Sequence, residues 1–263
     1  MIINNLLVSY SAEGSEKSTV IIFIHGFPFN KSMWNLQVRS LKDNYRLITY
    51  DIRGHGSSEP GSEKFSIDLF VADLIGMMDA LKIDKAILCG LSMGGYIALN
   101  AMEKHKERFD ALILCDTQCI ADSPEAKAKR IKAIESIRNH GVEKYAEESL
   151  KNLFASESFI TRKNEIALVR NMITKTSVQS LCNTLLALSV RKETCHILSE
   201  IKIPVLIMVG NEDKITPPDA ARFMHEKIKG SLLKIIDHAG HLSNLENPDE
   251  FNLQLRKFVD SIK

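Results

Sequence analysis

No stretch of this sequence is long and apolar enough to cross a bilayer. Its longest apolar runs, at 20–24 and 205–209, are strand-length and fall far short of the ~20 residues a spanning helix needs. A secretory leader is not expected either, because the first ten residues lack a basic segment and their apolar stretch is broken by Asn4 and Asn5. Charge of one sign is missing too. Lys and Arg number 34 against 33 Asp and Glu, leaving a net charge of +1. That balance gives no overall pull toward nucleic acid, an anionic membrane surface or acidic partners. The five cysteines, Cys89, Cys115, Cys119, Cys182 and Cys195, are odd in number, irregularly spaced and form no CxxC pair. Neither a zinc site nor a disulfide framework is expected from that pattern, and a reducing cytoplasm fits it. Cys89 and Cys115 lie inside apolar runs, where cysteine behaves as a small hydrophobe. No G-x-x-x-x-G-K-[ST] loop occurs, so a nucleotide-phosphate cradle of that kind is excluded.

What is present is a regular alternation. Apolar, β-branched runs recur at 19–24, 46–50, 85–89, 111–115, 204–209 and 232–236, without the in-out alternation of a half-exposed strand. Such runs suit parallel strands buried on both faces. Helical patterns lie between them. Residues 67–81 place Leu69, Phe70, Leu74, Met77, Met78 and Leu81 at helical spacing. The last helix opens Asn247-Pro248-Asp249-Glu250, with a capping asparagine, a first-turn proline and two acids at the positive end of the helix dipole. Strands alternating with helices predict a mostly parallel sheet between helical layers. The alternation fails over 119–198, where no convincing strand occurs. Ser123-Pro124-Glu125 opens a helix that stops near Gly141, a second covers 142–153, and a third region at 161–189 breaks near 175–177. The expected division is therefore a core of 1–118 and 199–263 with an all-helical cap inserted at 119–198.

The chemistry is concentrated in Gly90-Leu91-Ser92-Met93-Gly94-Gly95, a G-x-S-x-G pattern between a strand-like run and a helix-like run. A serine on such a turn is pushed above the sheet, and the helix start behind it presents N–H groups to developing negative charge. A hydroxyl is a poor nucleophile until a base takes its proton. His241 is the expected base, in the loop after the last strand-like run; His238 is its competitor, and Ala239-Gly240 between them favours His241. The acid should follow a late strand. Asp213 fits that place, with Glu212 beside it and Asp116, after 111–115, as the rival. Asp219 is read as support for the helix after Pro217-Pro218. Oxyanion donors are expected from the backbone N–H of Met93 and, in the His25-Gly26-Phe27-Pro28 loop, of Phe27. His25 is expected to shape that loop by buried hydrogen bonding. The glycine-rich segment Asp51-Ile52-Arg53-Gly54-His55-Gly56-Ser57-Ser58 is read as structural.

Taken together, H-G-F-P at 25–28, D-x-R-G-H-G-x-S at 51–58, G-L-S-M-G-G at 90–95, G-N-E-D-x-x-T-P-P at 210–218 and G-H-L-S-N-L-E-N-P at 240–248 resemble the α/β-hydrolase superfamily, nearest to 3-oxoadipate enol-lactonases and related esterases. The resemblance runs through nearly the whole chain. It implies an α/β-hydrolase fold with a helical cap, a triad of Ser92, Asp213 and His241, an oxyanion hole at Phe27 and Met93, and no metal or organic cofactor. The partner it implies is a small-molecule ester or lactone, acted on by a monomer or homodimer. Arg138, Arg170 and Arg191 are the candidates to face an anionic substrate, and Trp34 resembles a pocket-lining position. The lysine- and glutamate-rich stretches at 127–132 and 143–151 read as solvated faces. The motifs specify the superfamily far better than the reaction. Carbon–carbon hydrolysis, amide cleavage and haloperoxidase-like perhydrolysis use the same arrangement, and a ligand sensor on the same fold is a reading of a different class.

Overall fold

Parallel strands place all their carboxyl ends on one edge of a sheet, and in this protein that edge carries every residue singled out for chemistry. A computed structural model describes residues 1–262. The chain opens with a two-stranded antiparallel ribbon, β1 (Ile2–Ile3) and β2 (Leu6–Leu7). Asn4 and Asn5 turn it at positive φ, a conformation asparagine tolerates better than most residues. Then follow β3 (Tyr10–Glu13), β4 (Val20–Ile24), α1 (Asn35–Leu41), β5 (Arg46–Tyr50), α2 (Ile67–Ala80), β6 (Ala86–Leu91), α3 (Met93–His105) and β7 (Phe109–Cys115). Helices α4 (Pro124–His140), α5 (Val142–Leu153), α6 (Ser158–Thr161), α7 (Lys163–Lys175) and α8 (Val178–Ser189) come next. The chain closes with β8 (Val205–Gly210), α9 (Pro218–Lys227), β9 (Leu232–Ile236), α10 (Ser243–Glu246) and α11 (Pro248–Ser261).

The main sheet has the order β3-β5-β4-β6-β7-β8-β9, parallel throughout except for β3 against β5. Ile22 and Ile24 of β4 pack into a core shared with α2, α3 and α9. Ile21 and Phe23 of the same strand face the opposite core, built on α1 and α11. Both faces being covered explains why the strand sequences do not alternate in polarity. Strand β3 was not apparent in the sequence. Its residues, Tyr-Ser-Ala-Glu, are half-buried or exposed at the sheet edge, and only pairing with β5, Tyr10 opposite Tyr50, defines them as a strand.

Local signals set the helices between β7 and β8. The Ser123 side chain accepts from the Ala126 N–H at 3.2 Å to cap α4, and Gly141, at φ 85°, ends that helix and starts α5. Ser177 caps α8 through the Ser180 N–H, which places the expected break between α7 and α8. Val142, Ala146, Leu150 and Leu153 of α5 and Val169, Met172 and Ile173 of α7 pack into the same core as α1 and α11. Helices α5 and α7 therefore share one hydrophobic core with the sheet.

The cysteine pattern gave the wrong expectation. Cys119, just beyond β7, and Cys195, at the start of the 3₁₀ turn leading to β8, form a disulfide across 76 residues of sequence, with Cα atoms 5.0 Å apart. The pairing of β7 with β8 brings these two distant residues together, and no local spacing reports that. Beside the bond, the Thr194 N–H donates to the Cys119 carbonyl at 2.9 Å. A reducing compartment, expected from unpaired cysteines, no longer has that support. Cys89, Cys115 and Cys182 are buried and free. Closing so long a loop limits the unfolded chain and stabilises the fold by up to about 4 kcal/mol. Full reduction, or Cys119→Ser, is expected to lower the melting midpoint by several degrees in a calorimetric scan. An unchanged midpoint, with thiol counting to prove reduction, would contradict that role.

Candidate active site

Four loops at the carboxyl ends of β4, β6, β8 and β9 converge here, the edge where open α/β sheets bind their ligands. Ser92 sits between β6 and α3 at φ 55° and ψ −113°, a conformation that costs a non-glycine residue roughly 1–3 kcal/mol. The surroundings hold it there. The Ser92 N–H donates to the Cys115 carbonyl at 2.9 Å, while the Ser92 carbonyl accepts from Thr117 Oγ1 at 2.8 Å and from the Gly95 N–H at 2.9 Å. The glycines answer to crowding. A Cβ on Gly90 would collide with the Gly94 backbone, and one on Gly94 with the Ile24 carbonyl.

His241 reaches this serine from 149 residues away. Its Nε2 lies 2.9 Å from Ser92 Oγ and its Nδ1 2.8 Å from Asp213 Oδ2, and all three residues are buried. The loops after β8 and β9 are stitched to each other, Asn211 N–H to the Ile236 carbonyl and Glu212 N–H to the Ala239 carbonyl, both at 2.9 Å. That stitching sets Asp213 beside His241. Asp213 Oδ1 accepts from the N–H groups of Ile215 (2.8 Å) and Thr216 (3.0 Å), and its Oδ2 accepts from Thr216 Oγ1 (2.8 Å). Burial opposes charge on Asp213, but the His241 charge and these donors outweigh it and hold the carboxyl below the ordinary aspartate value. Burial likewise opposes the His241 imidazolium, and Asp213, then Asp116 and Glu246, outweigh it and raise the histidine above its ordinary 6.5. Thr216, inside the G-N-E-D-x-x-T-P-P motif, touches both Asp213 and His241, a contact that no local sequence signal reports.

The rivals occupy other places. Asp116, at the end of β7, accepts from the Gly210 N–H at 2.9 Å and from Ser243 Oγ at 2.6 Å and makes no hydrogen bond to His241. Burial and then the charge of Asp213 push its carboxyl well above the aspartate range. Two carboxyls at neighbouring strand ends are thus pushed in opposite directions, Asp213 down and Asp116 up. His238 is exposed, 3.2 Å from Glu157, and Glu212 points to solvent.

Met93 is the first residue of α3, and its N–H has no partner within the helix. Phe27 lies opposite, in the loop after β4, and both residues line the same cavity as Ser92 and His241. His25 shapes that loop. Its Nδ1 donates to the Gly26 carbonyl at 2.8 Å, its Nε2 accepts from the Ile52 N–H at 2.9 Å, and burial lowers its pKa to about 4. The 51–58 loop is bound internally. Asp51 accepts from the Lys31 backbone and ammonium, each at 2.8 Å, and from the Ser57 N–H at 2.9 Å, while Arg53 forks onto Asp73 at 2.6 and 2.7 Å.

The cavity above Ser92 has a volume of about 450 Å³. Sheet loops form its floor, and side chains of α4, α5 and α8 form its roof, among them Arg130, Tyr145, Ser149 and Leu188. Four expected pocket residues are not at this cavity. Trp34 is not at the cavity. Asn30 caps the 3₁₀ turn that carries it, and the indole is fully buried against Phe23 and Phe251, 5.0 and 6.3 Å between ring centres. Arg138 is exposed on the outer side of α4, and Arg170 is held by Glu147 at 2.6 Å. Arg191 is buried on Asp122 and stacks on the Tyr96 ring at 4.2 Å. The cations that do line the cavity are Lys129, Arg130 and Lys214. Lys129 and Arg130 belong to the stretch read as solvated. α4 has an indistinct apolar face, so its sequence does not say which side turns inward; Asp122, gripping both Arg130 and Arg191, settles it.

The sequence pattern of the alpha/beta hydrolase fold family matches residues 19–248. A 3-oxoadipate enol-lactonase of Acinetobacter baylyi is 30% identical over 256 residues, covering 97% of this chain and 94% of that one. Among solved structures, a thermophilic esterase from Thermogutta terrifontis superposes with a TM-score of 0.92 at 31% identity, over 97% of this chain and 93% of that chain. The enol-lactonase from Burkholderia xenovorans LB400 gives 0.92 at 27% identity, over 98% of both chains. With the family pattern spanning most of the chain and the sheet, turn and strand order in agreement with it, this protein belongs to the alpha/beta hydrolase fold family.

Proposed function

We propose that this protein is a serine hydrolase that cleaves a carboxylic ester or lactone of a small molecule through an acyl-enzyme. The observation that carries the reading is the unbroken path from Ser92 Oγ through His241 to Asp213, with links of 2.9 and 2.8 Å, at the floor of a cavity large enough for a small substrate. Ser92 attacks the carbonyl carbon as His241 Nε2 takes the hydroxyl proton. Asp213 keeps the Nδ1 proton in place and stabilises the imidazolium. The N–H groups of Met93 and Phe27 receive the oxyanion, each contributing on the order of 3 kcal/mol to the transition state. The imidazolium then protonates the leaving alkoxide, and a water repeats the sequence on the acyl-enzyme. Each step draws only on groups of the chain and on water.

In this reading residues 119–198 act as a cap over a core of 1–118 and 199–263. Its helices exclude bulk water, which strengthens the interactions beneath them. Relatives named as enol-lactonases and esterases favour an ester or lactone carbonyl among acyl substrates. Lys129, Arg130 and Lys214 around the cavity suit a substrate that also carries a carboxylate.

Initial rates on short p-nitrophenyl esters and small lactones test the proposal. Ser92→Ala is expected to reduce turnover by at least about 10⁴-fold. Retained turnover in a folded Ser92→Ala protein would refute it. The pH profile supplies a second test. The base must be neutral to act, and His241 is raised above 6.5, so kcat/KM should fall as pH drops through a single ionisation above that value. A plateau running unbroken down to pH 5 would rule His241 out as the base.

A further inference from the structure

Glu246, at the end of α10, is a buried carboxylate with no cation paired to it among the described residues. Its four hydrogen bonds all come from donors. Oε1 accepts from the N–H groups of Gly240 at 2.8 Å and Leu242 at 3.3 Å. Oε2 accepts from the Ala155 N–H at 2.7 Å and Ser158 Oγ at 2.6 Å. The first two donors flank His241 in the chain. The His241 N–H itself donates to the Leu153 carbonyl at 2.9 Å, at the end of α5. Three successive peptide N–H groups are therefore fixed, two by one carboxylate and one by the inserted helices. Ala155 and Ser158 also belong to the insertion, in the α5–α6 junction.

We propose that Glu246 is a positioning residue for His241, holding the loop that carries the imidazole and fastening it to the α5–α6 junction. The role rests on the reading of His241 as general base. An imidazole that must meet Ser92 and Asp213 at once tolerates little rotation of its backbone, and Gly240 would otherwise leave that backbone loose. Glu246 ties both neighbours of His241 to a rigid part of the protein. Because the same carboxylate is bonded to the insertion, the alignment of the base depends on the inserted helices being seated over the site.

The groups facing His241 are Ser92 on the β6–α3 turn, Asp213 and Thr216 after β8, Asp116 after β7 and Glu246 on α10. Lys214 lines the cavity beside it, and the exposed His238–Glu157 pair lies on the outer side of its loop. Burial raises the Glu246 carboxyl against the pull of its four donors, and its charge is among those that raise His241. Removing that charge should lower the histidine and move the acidic limb of the rate profile to lower pH.

Steady-state kinetics on p-nitrophenyl acetate across pH, with melting curves, would be run on wild type, Glu246→Gln, Glu246→Asp and Ser92→Ala. Glu246→Gln is expected to lose kcat by about tenfold or more while KM stays within about twofold, with its acidic limb displaced to lower pH. Glu246→Asp keeps the charge but draws it back from the loop, so its kcat should fall with the limb left in place. A Glu246→Gln protein that melts earlier yet keeps wild-type kcat and limb would overturn the proposal and leave Glu246 a structural tie. If Glu246→Gln does not fold, Glu246→Asp decides, and wild-type kcat there overturns the role. Activity surviving in Ser92→Ala would instead bring down the reading of the site on which the role stands.

Discussion

A histidine 149 residues from a serine can hold its Nε2 at 2.9 Å from that hydroxyl only if something rigid fixes both ends. Here the rigid element is the parallel sheet. Its strands deliver Ser92, Asp213 and His241 to one edge, and the two faces of buried aliphatic side chains keep the strand ends in register. The serine turn is strained, and the serine, histidine and acid are all buried. Both conditions persist because the surroundings overdetermine them. Ser92 is held on both its N–H and its carbonyl, Asp213 by three donors besides His241, and His241 by its own N–H as well as its two ring nitrogens. Little is left free to move at the site.

The electrostatics follow from the same placement. Asp213 and Asp116 stand at neighbouring strand ends in comparable burial, yet donors differ. Asp213 is surrounded by N–H and O–H groups and hydrogen-bonds the histidine, whereas Asp116 has two donors, Gly210 N–H and Ser243 Oγ, no hydrogen bond to His241, and the repulsion of Asp213. The acid that touches the imidazole is therefore the one whose ionised form its surroundings favour. His25, by contrast, is buried beside a carbonyl and an amide, stays neutral and shapes the loop that carries Phe27.

Residues whose role is set by neighbours in sequence are legible in the sequence itself. The strands at 46–50 and 232–236, the Ser123 cap, the stop at Gly141 and the strand-to-helix turn at Ser92 all rest on local signals, and the structure has them where they were expected. Contacts between distant segments were not legible. The Cys119–Cys195 bond needs β7 beside β8, the indole of Trp34 turns to Phe23 and Phe251 and away from the cavity, and the Asp122 that holds Arg130 is itself held by Arg191, 69 residues away. Glu246 stood inside a recognised motif, but its four donors come from two loops that meet only in the fold. Edge strand β3 is legible only through its partner.

Central to the proposed function is a nucleophilic Ser92 activated by His241. A fluorophosphonate, which phosphonylates activated serines, tests that directly when the labelled protein is digested and its peptides are mapped by mass spectrometry. A single adduct on Ser92 is expected in the native protein and none in His241→Ala. An adduct on another residue, or a native protein that resists the reagent altogether, would contradict it.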